Sequence, residues 1–193
     1  MAQLALCLAT RLDLKVFITA IMSERALEFG GIHIAQLFCI SVKDATCERK
    51  AEMALAKLLR KPALMHLLKM IDILVLDEVG QVSSEMLMVM DQILRCLRGS
   101  SLFLGGVLLV GTYDPQQLKP IKGHPAIMSP YMLTCFECWE LFHSVRASKD
   151  LALQKIQRMT RLSPSEPHGR KGQEFMELIK HHCSLSRTLT IRS

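Results

Sequence analysis

The sequence predicts an α/β fold, a central and mostly parallel sheet covered by helices in three layers. Three observations carry this. Strand-like apolar runs alternate with segments of helical periodicity, the pattern of a sheet wrapped by helices. Ile71-Asp72-Ile73-Leu74-Val75-Leu76 is nearly all apolar, as a parallel strand buried on both faces must be. That run ends abruptly in the paired carboxylates Asp77-Glu78, at the sheet edge where open α/β folds take ligands.

In chain order, residues 2–12 read as a helix and Leu14 to Thr19 as a short strand. Ser23 to Phe29 reads as a helix stopped by Gly30-Gly31, because glycine accepts the left-handed turn at a helix end. Glu48 to Arg60 is amphipathic, with Ala51, Leu55, Leu58 and Leu59 on one side. Pro62 interrupts it, and Ala63 to Met70 resumes as a second helix. Ser83 is placed to cap a helix whose stripe is Met86, Leu87, Met90, Ile93, Leu94 and Leu97, with Glu85 in its first turn and Gly99 as its stop. Gly106 to Val110 reads as a further buried strand, Cys135 to Leu141 as another, and Ala147 to Met159 as a last helix before the 163–169 loop.

Composition bounds the function. Of 193 residues half are hydrophobic, which supports a sizeable core, filled by aliphatic side chains and 12 methionines since aromatics are scarce. Residues 1–145 hold 14 basic and 14 acidic side chains; residues 146–193 hold 10 and 4, so the whole net charge of +6 sits there. A basic tail on a neutral body suits nucleic acid, and equally an ordinary solvated surface. Seven scattered cysteines, an odd number, fit a reducing interior rather than a disulfide framework. Cys135-Phe-Glu-Cys138 lacks a second pair with metal-ligand spacing, so it reads as two buried thiols in a strand. No apolar run approaches the roughly 20 residues of a membrane span. The apolar start has no preceding positive residue, so it is a poor secretory signal.

The carboxylates either carry chemistry or simply open a polar loop after the strand, and the first reading is the sharper. Asp77 suits a hard cation such as Mg²⁺, which wants oxygen ligands, and Glu78 suits the orientation or deprotonation of an attacking water. One helix later, strand Val107–Val110 opens into Gly111-Thr112-Tyr113-Asp114-Pro115-Gln116-Gln117-Leu118-Lys119-Pro120-Ile121. A polar loop beside the carboxylate strand can report a phosphate through Gln117, or be a plain polar turn.

Residues 72–121 resemble the petite-integration-frequency (Pif) helicases of superfamily one, in the form common in mobile elements. Asp77-Glu78-Val79-Gly80-Gln81-Val82 is similar to the family's second motif, and Gly111 with Gln117-Leu118-Lys119-Pro120-Ile121 to its third. His143-Ser144-Val145-Arg146-Ala147 is similar to the segment bearing the fourth motif's arginine, and Phe17-Ile18-Thr19-Ala20 with Gly30-Gly31 to the DNA-contacting motif Ia.

The resemblance implies a RecA-like P-loop NTPase domain that hydrolyses ATP with Mg²⁺ and acts on single-stranded DNA and duplex junctions in repair or recombination. It assigns Mg²⁺ to Asp77, water to Glu78, the sensor role to Gln117 and the charge-stabilising finger to Arg146, with Thr19, Ala20 and His33 near DNA. Residues 1–145 are then a partial motor domain, and 146–193 a basic linker with the start of a second RecA-like domain. The implied location is intracellular, in nucleus or mitochondrion.

Three departures stand against this likeness. His33-Ile34-Ala35 replaces Thr-Ile-His after the double glycine, and Thr112 stands where the short third motif has Asp. No G-x-x-x-x-G-K-[ST] loop occurs, although the family places one directly before the helix matched by residues 2–12, so a motor domain truncated at its amino end is expected. The rival readings are a non-catalytic mobile-element relic that at most binds DNA or a partner, and a P-loop ATPase of another branch; the Gln-Leu-x-Pro-Ile pattern argues against the latter.

Overall fold

The computed structural model describes residues 7, 11–41, 45–114, 118–139, 149–162, 173 and 175–181. The chain divides into two compact units, Met1–Glu137 and Cys138–Ser193. In the first, strands β1 (Val16–Ala20), β2 (Ile32–His33), β3 (Ile73–Asp77) and β4 (Leu108–Gly111) form one parallel sheet in the order β2-β1-β3-β4. The helices are α1 (Ser23–Glu28), α2 (Ile34–Leu37), α3 (Cys47–Leu58), α4 (Pro62–Met70), α5 (Ser84–Arg98) and α6 (Pro130–Thr134). The α/β class read from the sequence is therefore the class observed. In the second unit, α7 (Leu151–Leu162) starts at Asp150, whose carboxylate accepts from the Leu153 amide at 2.9 Å, and residues 175–181 are also helical. The helix expected over 2–12 lies mostly outside the described residues; its described positions, 7, 11 and 12, are helical.

β3 is central, with β1 and β4 on its two sides, and its alternation feeds two packing layers. Leu74 and Leu76, both fully buried, point into a large core shared with Phe38, Leu58, Met90, Ile93 and Leu94. Ile73 and Val75 join Ile18 on the other face, against Val16 and Val110. Period-two burial on both faces is what an uninterrupted apolar strand requires.

The helix ends follow their side chains. The Thr46 hydroxyl accepts from the Arg49 amide at 3.3 Å and starts α3; the Ser83 hydroxyl accepts from the Met86 amide at 3.1 Å and starts α5. Gly99 closes α5 at φ 61°, as glycine can without strain. Gly31 is required for a different reason: a Cβ there would lie 2.1 Å from the Ile18 carbonyl oxygen.

Three expectations are corrected. The strand predicted over 71–76 begins at Ile73, because Ile71 ends α4 by donating its amide to the Leu67 carbonyl. Gly106 belongs to a 3₁₀ turn, Phe103–Gly106, and β4 begins at Leu108, which as an edge residue is 58% exposed rather than buried. Residues 135–139 form no strand, and Cys135 and Cys138 are exposed rather than buried thiols. Their segment follows the short helix α6 and contributes mainly Phe136, which packs edge-on against Phe103. Among the described residues no cluster of three or more His, Cys, Asp or Glu could hold a metal, and no helix is long and apolar enough to cross a membrane.

At the amino end of β3, register is set by paired contacts. The Lys15 amide donates to the Asp72 carboxylate, while the Lys15 carbonyl accepts from the Asp72 and Ile73 amides, all within 3.1 Å. Beside them the Arg98 guanidinium gathers backbone carbonyls that α4 and the 3₁₀ turn leave open. Its Nε donates to Gly105 O at 2.8 Å, and one terminal nitrogen to Lys69 O at 2.6 Å and Ile71 O at 3.0 Å. We therefore expect Arg98→Met to destabilise the fold by about 2–3 kcal/mol, since charged hydrogen bonds are lost and their acceptors orphaned. Urea unfolding measures this; a loss below about 0.5 kcal/mol, the size of an ordinary surface substitution, would contradict it.

The segment after β4 is tied to the start of α5. The Ser84 amide donates to His124 O at 2.7 Å, the Ala126 amide to Val82 O at 2.9 Å, and the Glu85 carboxylate lies 3.1 Å from His124 Nδ1. Burial pushes the Glu85 carboxyl up, but hydrogen bonds from its own amide, from His124 and from Ser83 outweigh this and hold it at about 2 against an ordinary 4.5. A carboxyl depressed in the folded state contributes stability that is complete above about pH 4.5 and is lost as pH falls toward about 2. Solvent screening at a side chain 39% exposed reduces the contribution to about 1 kcal/mol. Acid unfolding of Glu85→Gln should accordingly be less steep in that window; an unchanged slope would remove the assignment.

Candidate functional site

Asp77 is the last residue of β3 and Glu78 the first beyond it, at the carboxyl edge of the sheet. Glu78 has φ 59° and ψ 51°, the left-handed region, which costs a residue with a Cβ roughly 1–2 kcal/mol. A 3₁₀ turn over Val79–Gln81 follows, so the chain reverses sharply and leaves both carboxylates at the edge. The Gln81 amide nitrogen donates to Glu78 Oε2 at 2.8 Å and steadies that side chain.

The neighbouring strand holds this turn in place through one residue. Thr112 engages four successive residues: its amide donates to Leu76 O at 3.2 Å, its hydroxyl to Asp77 Oδ1 at 2.5 Å, its hydroxyl oxygen accepts from the Glu78 amide at 2.9 Å, and its carbonyl from the Val79 amide at 2.9 Å. The two segments touch closely, and at Gly111 closely enough to require glycine. A Cβ on Gly111 would lie 2.3 Å from Val79 Cγ2, and one on Gly80 would crowd the Tyr113 ring at 3.2 Å.

Electrostatics adds a cation that the sequence reading missed. Arg25 of α1 pairs with Glu28 at 3.0 Å; that pair first, and the fields of Asp77 and Glu78 in addition, raise its pKa above the ordinary value. Spacing in the sequence offers no sign of this, because α1 and β3 approach only through the fold.

The donor set suits a magnesium ion in a particular way. Asp77 and Glu78 supply oxygen only, and no third acidic, histidine or cysteine side chain joins them among the described residues. Mg²⁺ is commonly held by one or two carboxylates together with phosphates and waters rather than by a full protein cage, and two carboxylates at an open edge fit that habit. A cavity of about 190 Å³ opens beside the turn, lined by Gly80, Tyr113, Asp114, Lys119 and Met128 among others. It is smaller than the ~300 Å³ at which small-molecule pockets begin. The larger cavity, about 300 Å³ beside Lys69, Arg98 and Gly105, lies near the start of β3, away from the carboxylates.

Thr19 is fully buried, its hydroxyl donating to Ile32 O at 2.6 Å, and Ala20 is 1% exposed. They shape the carboxyl end of β1, where Ala20 is the register partner of Asp77. His33 Nδ1 accepts from the Ala35 amide at 3.1 Å and so caps α2, which leaves the neutral ring's proton on Nε2. Gln117 and Arg146 lie outside the described residues.

The family model described as PIF1-like helicase matches residues 25–184. Among solved structures, the chain is similar to the Pif1 helicase from Candida albicans, with a TM-score of 0.70 and 21% identity over 83% of this chain and 36% of that one. It is also similar to the Pif1 helicase from Bacteroides in complex with ADP-AlF3 and single-stranded DNA, with a TM-score of 0.57 and 19% identity over 76% of this chain and 36% of that one. At such identities these likenesses speak for the fold, which is that of a RecA-like helicase domain, and the chain spans about a third of the length of either structure. No curated protein matches the sequence. With the family model covering most of its length, the chain belongs to the PIF1-like helicases.

Proposed function

We propose that these residues form the hydrolytic edge of an ATP-dependent DNA helicase motor, acting on single-stranded DNA and duplex junctions. The observation that carries this is the pair Asp77-Glu78 at the end of a central parallel strand, clamped to the neighbouring strand by Thr112. Mg²⁺, when bound with ATP, neutralises charge on the phosphates. Asp77 would hold that ion, directly or through water, with the carboxylate oxygen that Thr112 does not occupy. Glu78, steadied by Gln81, would orient the attacking water and accept its proton. Gln117 would report the terminal phosphate, and Arg146 would stabilise charge developing on it; both assignments rest on the family motifs alone. The Bacteroides relative was solved with single-stranded DNA, and the basic 146–193 segment supports the same partner here.

The 193 residues contain no G-x-x-x-x-G-K-[ST], so the backbone nest and lysine that cradle a triphosphate are not supplied by them. This favours a second reading for these residues taken alone, that they hold DNA or a partner without turning ATP over. The purified chain should then show no steady-state ATPase activity, with or without single-stranded DNA. DNA-stimulated turnover that disappears in Glu78→Gln would contradict that.

For the motor reading, the chain extended at its amino end by such a loop is the test. Glu78→Gln should retain ATP binding and lose about 100-fold or more in hydrolysis, the size expected when a general base is removed. Asp77→Asn should weaken the Mg²⁺-dependent part of binding. Gln117→Ala and Arg146→Ala should slow DNA-stimulated hydrolysis with the fold intact. Near-normal hydrolysis in Glu78→Gln would end the assignment of the water to that residue.

A further inference from the structure

We propose that Thr112 is a positioning residue for the divalent cation: its hydroxyl orients the Asp77 carboxylate and locks the Glu78 turn, so that the two acids face the cation as one preset unit. The inference rests on the reading above in which Asp77 binds the ion.

The direction of each hydrogen bond is forced. A backbone amide can only donate, so the Glu78 N–H must give its proton to the Thr112 oxygen. An ionised carboxylate can only accept, so the single hydroxyl proton of Thr112 goes to Asp77 Oδ1. Such an O–H···O⁻ bond is charge-assisted and among the shorter and stronger kinds. It fixes the carboxylate's rotation about its last torsion. Among the described residues Oδ2 has no hydrogen-bond partner, and it is the oxygen left for a cation or its water. The amide of the same threonine donates to Leu76 and its carbonyl accepts from Val79, so the hydroxyl itself is held at fixed distance from β3. A β-branched side chain has restricted rotation about its first torsion, which threonine brings and serine does not.

The two hydroxyl bonds set what a replacement would lose. Valine would keep the shape and lose both hydroxyl bonds. Serine would keep the bonds and lose the methyl group.

The test uses the 193-residue chain and Mn²⁺ as the probe, read as paramagnetic broadening of assigned amide signals. In the unchanged chain, broadening should centre on Asp77 and Glu78 and should disappear in Asp77→Asn. Thr112→Val should weaken the apparent Mn²⁺ affinity about 10-fold or more, the usual effect of losing a group that orients a ligand, with the Met90 and Ile93 signals unmoved. Thr112→Ser should recover most of it. If Thr112→Val binds Mn²⁺ as the unchanged chain does, the positioning role is overturned while the cation reading stands. If the unchanged chain shows no broadening at Asp77, or Asp77→Asn does not alter it, the cation reading fails and takes this inference with it. Should the valine variant not fold, the unchanged chain still decides. The Thr112 hydroxyl proton should exchange slowly enough to be seen and lie close in space to the Glu78 amide, and a freely exchanging hydroxyl overturns the proposal.

Discussion

The Thr112 hydroxyl has one proton to give, and it goes to the carboxylate that ends the central strand. Around that bond the same residue accepts from the Glu78 and Val79 amides and donates to Leu76. A left-handed glutamate directly after a buried strand is an unfavourable backbone state, and it persists only where neighbouring bonds over-determine it. Thr112 and Gln81 supply those bonds. The carboxylate edge thus depends on a contact between residues 34 and 35 positions apart in the chain.

The rest of the first unit can be viewed as what brings β3 and β4 into that contact. Leu74 and Leu76 are buried under α3 and α5, which fixes which face of β3 looks which way. The other end of the strand is set by Lys15 and Asp72, with Arg98 collecting the carbonyls where α4 stops. Asp91, 3% exposed on α5, accepts from the Arg95 side chain at 2.8 Å and from the Leu104 amide at 2.7 Å. That holds the turn leading into β4, in which Leu104 has φ 50°. A buried acid with its partners in place, the Tyr131 hydroxyl among them, is tolerable where an unpaired one would not be, and here it sets where β4 begins. Gly111 then allows the two strand ends to close without clashing with Val79.

What was legible in the sequence was local. The Ser83 cap, the Gly99 stop, the α5 stripe and the apolar run of β3 each depend on residues within a turn or two. Asp77-Glu78 was legible because an apolar run ending in acids has a direct physical meaning. Strand starts were misplaced by two residues because a helix cap at Ile71 and a 3₁₀ turn at Gly106 compete for the same apolar residues. Cys135 to Leu141 was read as a buried strand from hydrophobicity alone, and the short helix before it leaves both cysteines in solvent. Thr112 looked only like a departure from a family motif, since its partners are distant in sequence. The His33 ring nitrogen caps the next helix two residues on, a local bond that no motif announces. Thr19 and Ala20 are buried where β1 ends beside Asp77, a packing role set by the register of β1 on β3.

The central claim is that the residues after β3 are held as firmly as the strand itself, although they form a turn at a sheet edge. Native-state hydrogen exchange of the Glu78 and Val79 amides, residue by residue, tests this most directly. The account predicts protection approaching that of Leu76, because both amides donate to Thr112 and open only when β4 separates from β3. Exchange of Glu78 and Val79 at the rate of an unstructured loop, with Leu76 still protected, would contradict it.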